Sequence, residues 1–79
     1  MSSPIPLAML PEGSTGVVKG VMGGWGLVRR LAELGFTPGA RVTVLKSSPP
    51  GPVLVVVRGA RIALGRGIAM KILVDVSPY

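Results

Sequence analysis

The sequence predicts a small, mainly β fold: an antiparallel barrel of about five short strands with one short helix set into it. Three observations lead there. Turn-forming residues punctuate the whole chain, with 12 glycines and 8 prolines spread along 79 residues rather than gathered into a linker. The stretches between them are short, rich in valine, and either alternating or fully apolar, the patterns of half-buried and buried strands. Only one stretch has helical spacing. Closing such strands into a barrel would also remove the unpaired edges that valine-rich sequence leaves open to aggregation. The length makes one domain spanning residues 1–79, with its core at about 6–76. Hydrophobic residues at 48% against charged residues at 15% belong to a folded chain rather than a disordered one.

Each element has its own justification. In residues 4–13, Pro4, Pro6 and Pro11 forbid a regular helix, so Leu7 and Leu10 are expected to pack onto the body as a tethered arm. Residues 16–22 read as a strand, and Gly20 inside it signals a bulge or sharp coil. Gly23, Gly24 and Gly26 surround Trp25 and lead into a helix at 27–34. Leu27, Leu31 and Leu34 stand there at i, i+4 and i+7 on one face, which should meet the barrel with Val42, Val44, Val55 and Val57 beneath it. Glu33 lies four residues after Arg29, an ion-pair spacing. Gly35 suits a left-handed helix end, and Pro38 follows. Two turns are too short to hold by themselves, so tertiary contact must support this helix. Phe36, next to the cap, is assigned to the core.

From residue 37 onward the pattern is strand. Residues 37–39 form a turn. Residues 41–46 alternate, with Val42 and Val44 on one side. Residues 47–52 are a loop with three prolines. Residues 53–58 are too apolar for a one-sided surface strand, so part of each face should be covered. Gly59-Ala60 reads as a two-residue hairpin turn, and 61–64 returns antiparallel. Residues 65–70 suit one helical or 3₁₀ turn. Residues 71–76 close the fold as a last strand, with Ile72, Val74 and Val76 opposed to Leu73 and Asp75.

Composition excludes several chemistries. The chain has no cysteine and no histidine, so disulfides, thiolate or Ser-His nucleophiles and the usual zinc sites are absent. The only carboxylates, Glu12, Glu33 and Asp75, are far apart in sequence, a thin supply for acid–base catalysis or a hard-metal site. A non-enzyme without a resident cofactor is expected. Gly20 to Gly26 precedes a helix as phosphate loops do, but no Gly-Lys-Ser/Thr ending follows, and Arg29 stands where G-x-G-x-x-G needs glycine. It reads as a turn of small residues that lets the helix approach the barrel.

Nine Lys and Arg against three acids give +6 and a pI near 11.4, which calls for an acidic partner: nucleic acid, an anionic membrane face or an acidic protein surface. Trp25, Phe36 and Tyr79 are the only aromatics, too few for a base-stacking groove, so no dedicated nucleic-acid role is expected. The longest aliphatic run, 53–57, is far short of the ~20 residues a membrane helix needs. The N-terminus lacks Lys and Arg, and prolines interrupt it, so it is no secretory signal. A cytoplasmic protein that does not insert into the membrane is expected.

Residues 30–45, RLAELGFTPGARVTVL, meet every fixed position of R-L-x-x-L-G-x-x-P-G-x-x-V-x-V-L. On that stretch the chain resembles the FeoA family, the small cytosolic proteins of bacterial and archaeal ferrous iron uptake. Leu54 to Arg58, Gly59, Ile62 to Leu64, Ala69 and Ile72 to Val74 resemble the family's closing strands. Pro6-Leu7, Leu10-Pro11, Gly13 and Gly16 resemble its opening. The likeness covers about residues 6–76. It implies an SH3-like five-stranded barrel with an inserted helix. It also implies a non-enzymatic accessory protein that docks on the cytosolic GTPase region of a FeoB-type membrane transporter and is recruited by it to the inner face of the membrane. The same fold forms the C-terminal domain of DtxR-like, iron-dependent repressors. The alternative is therefore a basic regulatory barrel of that kind, or a nucleic-acid-associated one. Such repressors carry a helix-turn-helix module, for which 79 residues leave no length. Transition-metal binding is a family-level property, but the lack of His and Cys argues against direct Fe²⁺ ligation here. An ion shared weakly between chains, and with it a weak homo-oligomer, is compatible with these residues.

A binding module without catalytic groups acts through exposed apolar and basic anchors, and Trp and Arg are the types most frequent at energetic hot spots. The expected partner surface combines Trp25, Leu27, Arg29 and Arg30, at and after the glycine-rich lead-in to the helix, with Arg58 and Arg61 at the hairpin tip. Whether these make one patch or two depends on how the tip lies against the helix.

Overall fold

The computed structural model describes residues 3–76. In chain order it contains β1 (Ile5–Pro6), a 3₁₀ turn (Leu7–Met9), β2 (Thr15–Val21), α1 (Trp25–Leu34), β3 (Arg41–Ser47), β4 (Val53–Val57), β5 (Ala60–Leu64), α2 (Arg66–Ala69) and β6 (Ile72–Val76). The strands form one antiparallel sheet in the order β1-β6-β2-β3-β4-β5. The architecture is the expected mainly β, SH3-like one, with six strands rather than five. The sixth is β1, the part of the proline-rich arm that pairs Ile5 with Val74 and Pro6 with Leu73. Proline stops an α-helix but suits the edge of a sheet, where a missing N–H breaks no ladder. The outermost strands in this order are β1 and β5, so pairing does not remove every edge as expected of a closed barrel.

Alternation builds the core. Val42 and Val44 of β3, Val53, Val55 and Val57 of β4, and Ile72 and Val74 of β6 are all fully buried. Leu7 and Leu10 of the arm are buried as well, which ties it to the body. The register shifts between Val18 and Gly20 on β2, the bulge that Gly20 signalled, and again between Val44 and Lys46 on β3. Such bulges bend a strand and increase its twist, which lets one sheet wrap a single core.

Helix α1 begins at Trp25, two residues before the expected start, with Gly24 as its cap. Leu31 is buried and Leu27 is half-buried against the core, but Leu34 is 44% exposed, contrary to the expectation that it faces the barrel. The helix end explains the difference. Gly35 takes φ 113°, its N–H donates to the Ala32 carbonyl, and the Phe36 N–H donates to the Leu31 carbonyl at 2.9 Å. That pair of bonds is the Schellman arrangement, which folds the residue after the glycine back onto the helix. Phe36 is thereby buried in the same cluster as Leu31, and it fills the place that helical spacing alone assigns to Leu34.

The β4–β5 turn is Arg58-Gly59, one residue earlier than expected, because Val57 pairs with Ala60. Its φ values of 51° and 78° are those of a type I′ turn, whose twist matches the flanking strands.

Candidate docking surface

The six expected partner residues fall into three settings. Trp25 is the first residue of α1 and 76% exposed, the most open of the large apolar side chains among the described residues. Leu27 packs inward. A Cβ at Gly23 would come within 2.9 Å of Leu27 Cδ2, so the glycine lead-in makes room for this leucine at the core edge. Arg29 and Arg30 lie on the exposed side of the helix, and Arg29 Nε stands 4.0 Å from Glu33 Oε2. That i,i+4 contact is weak, since both side chains are 70% exposed.

Arg58 has a different setting. Its Nη2 donates to Thr37 Oγ1 at 2.9 Å, and its Nε donates to the Gly35 carbonyl at 3.4 Å. The guanidinium therefore rests on the C-terminal end of α1, where unpaired carbonyls and the helix dipole favour a cation. The hairpin tip adjoins the end of the helix and not its start. Ten residues of helix rise about 15 Å, so Trp25 stands at one end of α1 and the Arg58 guanidinium rests on the other. Arg61 is exposed on the outer face of β5, opposite Val56. Arg66 is half-buried. It donates to the Gly51 carbonyl at 3.1 Å and to Ser47 Oγ at 3.2 Å, tying α2 to the loop before β4.

The acidic residues are dispersed and engaged. Glu12 Oε2 accepts the Ser47 N–H at 2.7 Å, Glu33 lies near Arg29, and Asp75 Oδ2 is 3.4 Å from Lys19 Nζ. The described residues hold no group of three or more His, Cys, Asp or Glu that could hold a metal ion. These side chains do not fit a metal centre. Titrating Zn²⁺ or Fe²⁺ into the monomer should give no tight one-to-one isotherm, because imidazole and thiolate donors are missing and the carboxylates do not converge. A submicromolar stoichiometric site in monomeric protein would contradict this.

Periodicity missed two features of the surface. Leu34 joins it because Phe36 displaces it from the core. Met9, Met22 and Met70 are exposed at 64%, 53% and 41%, and methionine spacing carries no signal that distinguishes surface from core. No helix among the described residues is long and apolar enough to cross a membrane.

Comparison with known proteins bears on this geometry. Residues 5–76 match the FeoA domain family. A relative from Methanocaldococcus jannaschii that bears the provisional name Fe(2+) transport protein A is 39% identical over 74 residues, covering 94% of this chain and 89% of that one. The crystal structure of an iron uptake regulatory protein, FeoA, shares 36% identity with a TM-score of 0.89, over 95% of this chain and 100% of that one. FeoA of Stenotrophomonas maltophilia, solved in complex with zinc and described as a prokaryotic SH3 domain protein, shares 33% identity with a TM-score of 0.77, over 94% and 91% of the two chains. The fold also recurs in IdeR of T. acidophilum, at 26% identity and a TM-score of 0.82, where 98% of this chain matches 36% of that one.

Proposed function

The chain belongs to the FeoA family, and from that premise we propose that it is a non-enzymatic accessory protein of ferrous iron uptake. It docks on the cytosolic GTPase region of a FeoB-type membrane transporter, and that docking recruits it to the inner face of the membrane. The observation that carries this reading is the family match across residues 5–76. The surface supports it. Trp25 is exposed at one end of α1, Arg29 and Arg30 follow along the helix, and no cluster of acid–base side chains accompanies them among the described residues. Arg58, held on Thr37, completes the basic end of the same surface. Arg61 extends it onto the outer face of β5. An acidic counterpart on the transporter would give an association rate that falls with added salt.

The likeness to IdeR keeps one other reading in view, a repressor-type regulatory barrel. A pull-down of the transporter's cytosolic domain, set beside DNA and RNA shift assays, separates the two. Both run at about 150 mM salt, where non-specific nucleic-acid binding is weak. Arg29→Glu with Arg30→Glu should weaken transporter binding at least tenfold and leave the fold intact, since both side chains project into solvent. Unchanged binding would remove the helix from the site. Tight nucleic-acid binding with no transporter binding would reject the adaptor reading.

A further inference from the structure

Strand β5 presents a row of backbone groups with nothing to bond among the described residues. It is outermost in the sheet and pairs with β4 alone. The hairpin closes on a two-residue turn, so Val57 and Ala60 exchange both of their hydrogen bonds, and pairs two residues further on do the same. Ala60, Ile62 and Leu64 therefore bond inward to β4. The N–H and C=O groups of Arg61 and Ala63 face away from it. Neither residue's backbone has a partner among the described residues, and both residues are exposed. Two donors and two acceptors at strand spacing make a template for another strand.

Next to this edge lies a hollow of about 350 Å³ with Leu54, Ala63 and Pro52 as its apolar lining and Lys46 at its side. Ala63 pairs with Leu54, and Arg61, two residues nearer the turn, points to the same face. An apolar hollow and a free guanidinium thus lie one strand repeat apart along an open edge. In strand addition, main-chain bonds supply affinity, and pockets for alternate side chains supply specificity.

We propose that the outer edge of β5 binds an extended segment of another protein, added as a further strand, with an apolar side chain in the hollow and an acidic one two positions away on Arg61. Charge selects that occupant. The chain carries +6, and each of its three carboxylates already has a basic or N–H neighbour. A second copy of this chain would bring like charge to like along the same edge. The site shares Arg61 with the docking surface proposed above, but the main-chain bonds at Arg61 and Ala63 and the hollow beside Leu54 belong to it alone, and its peptide test does not depend on the transporter reading.

The test uses the full chain and a defined probe, the acetylated and amidated peptide Thr-Asp-Thr-Leu-Thr-Glu-Thr. Its leucine is flanked by acids two positions away on both sides, so either strand direction brings an acid to Arg61. At millimolar peptide, amide hydrogen exchange measured by NMR should slow at least tenfold at Arg61 and Ala63, while Ile62 and Leu64, already bonded to β4, stay unchanged. Ala63→Pro removes the outward N–H without taking a bond from β4, a substitution that edge strands accept, and should abolish the protection at Arg61. Arg61→Glu, which alters no backbone group, should weaken binding at least tenfold. No binding at millimolar peptide, or binding that leaves Arg61 and Ala63 unprotected, overturns the proposal. So does concentration-dependent protection of these amides without peptide, which would make a second copy the occupant.

Discussion

Leu31→Ala should lower the unfolding free energy by about 2–5 kcal/mol, the transfer term of a buried leucine plus the cavity it leaves. Leu31 is 2% exposed and carries two links at once. It is the helix residue seated deepest in the core, and its carbonyl accepts the Phe36 N–H that closes the helix end. Folding stability scales to about 4–12 kcal/mol for a chain this long, so a loss at the upper end of the 2–5 kcal/mol range would remove from about two-fifths to all of it. The same truncation at Leu34 should cost under about 1 kcal/mol, as expected of a largely solvent-facing position. Thermal unfolding followed by circular dichroism resolves the contrast, because each kcal/mol moves the midpoint of a domain this size by about 4–8 °C. A shift of less than a degree for Leu31→Ala would mean that the helix is not packed as described. Equal shifts at the two leucines would mean that Phe36 has not taken the place of Leu34.

Gly35→Ala should cost about 2 kcal/mol, because a left-handed backbone costs roughly 1–2 kcal/mol for any residue with a Cβ and the added atom would crowd the Arg58 side chain. Gly35 sits at φ 113°, and a Cβ there would lie 3.0 Å from Arg58 Cδ. The substitution strains the helix end and pushes on the side chain that joins the hairpin tip to it. A double-mutant cycle separates these effects. In an Arg58→Ala background the steric part vanishes and only the backbone strain is left, so Gly35→Ala should cost measurably less. Strict additivity would show that Arg58 does not rest on the helix end.

The repeating elements were legible because their signals are local. Alternation at Val42 and Val44, and at Ile72 and Val74, states which face of a strand is apolar, and the structure buries those residues. Gly20 announced its bulge, and Gly35 with Pro38 announced the helix end. The turn was missed by one residue because Arg58, at φ 51°, occupies a position where sequence reasoning looks for glycine, asparagine or aspartate. Leu34 was misplaced for a related reason. Helical spacing ranks Leu27, Leu31 and Leu34 alike, and says nothing of a phenylalanine outside the helix that folds back over its last turn.

By itself, then, the amino-acid order determined strands β2 to β6, the helix, the absence of imidazole and thiolate chemistry and the excess of positive charge, since each depends on residue type or on neighbours within one turn or pleat; β1 exists only because the arm is laid against β6. The tertiary structure alone decided how each of those charged residues is held and presented. Arg58 is held by Gly35 and Thr37, 23 and 21 residues away, and Arg66 by Gly51 and Ser47, 15 and 19 away. Arg61, of the same chemical type, is left open at the edge of the sheet. Nothing in the type of an arginine distinguishes these fates. They depend on which carbonyls and hydroxyls the chain brings within about 3 Å, the range over which a hydrogen bond forms.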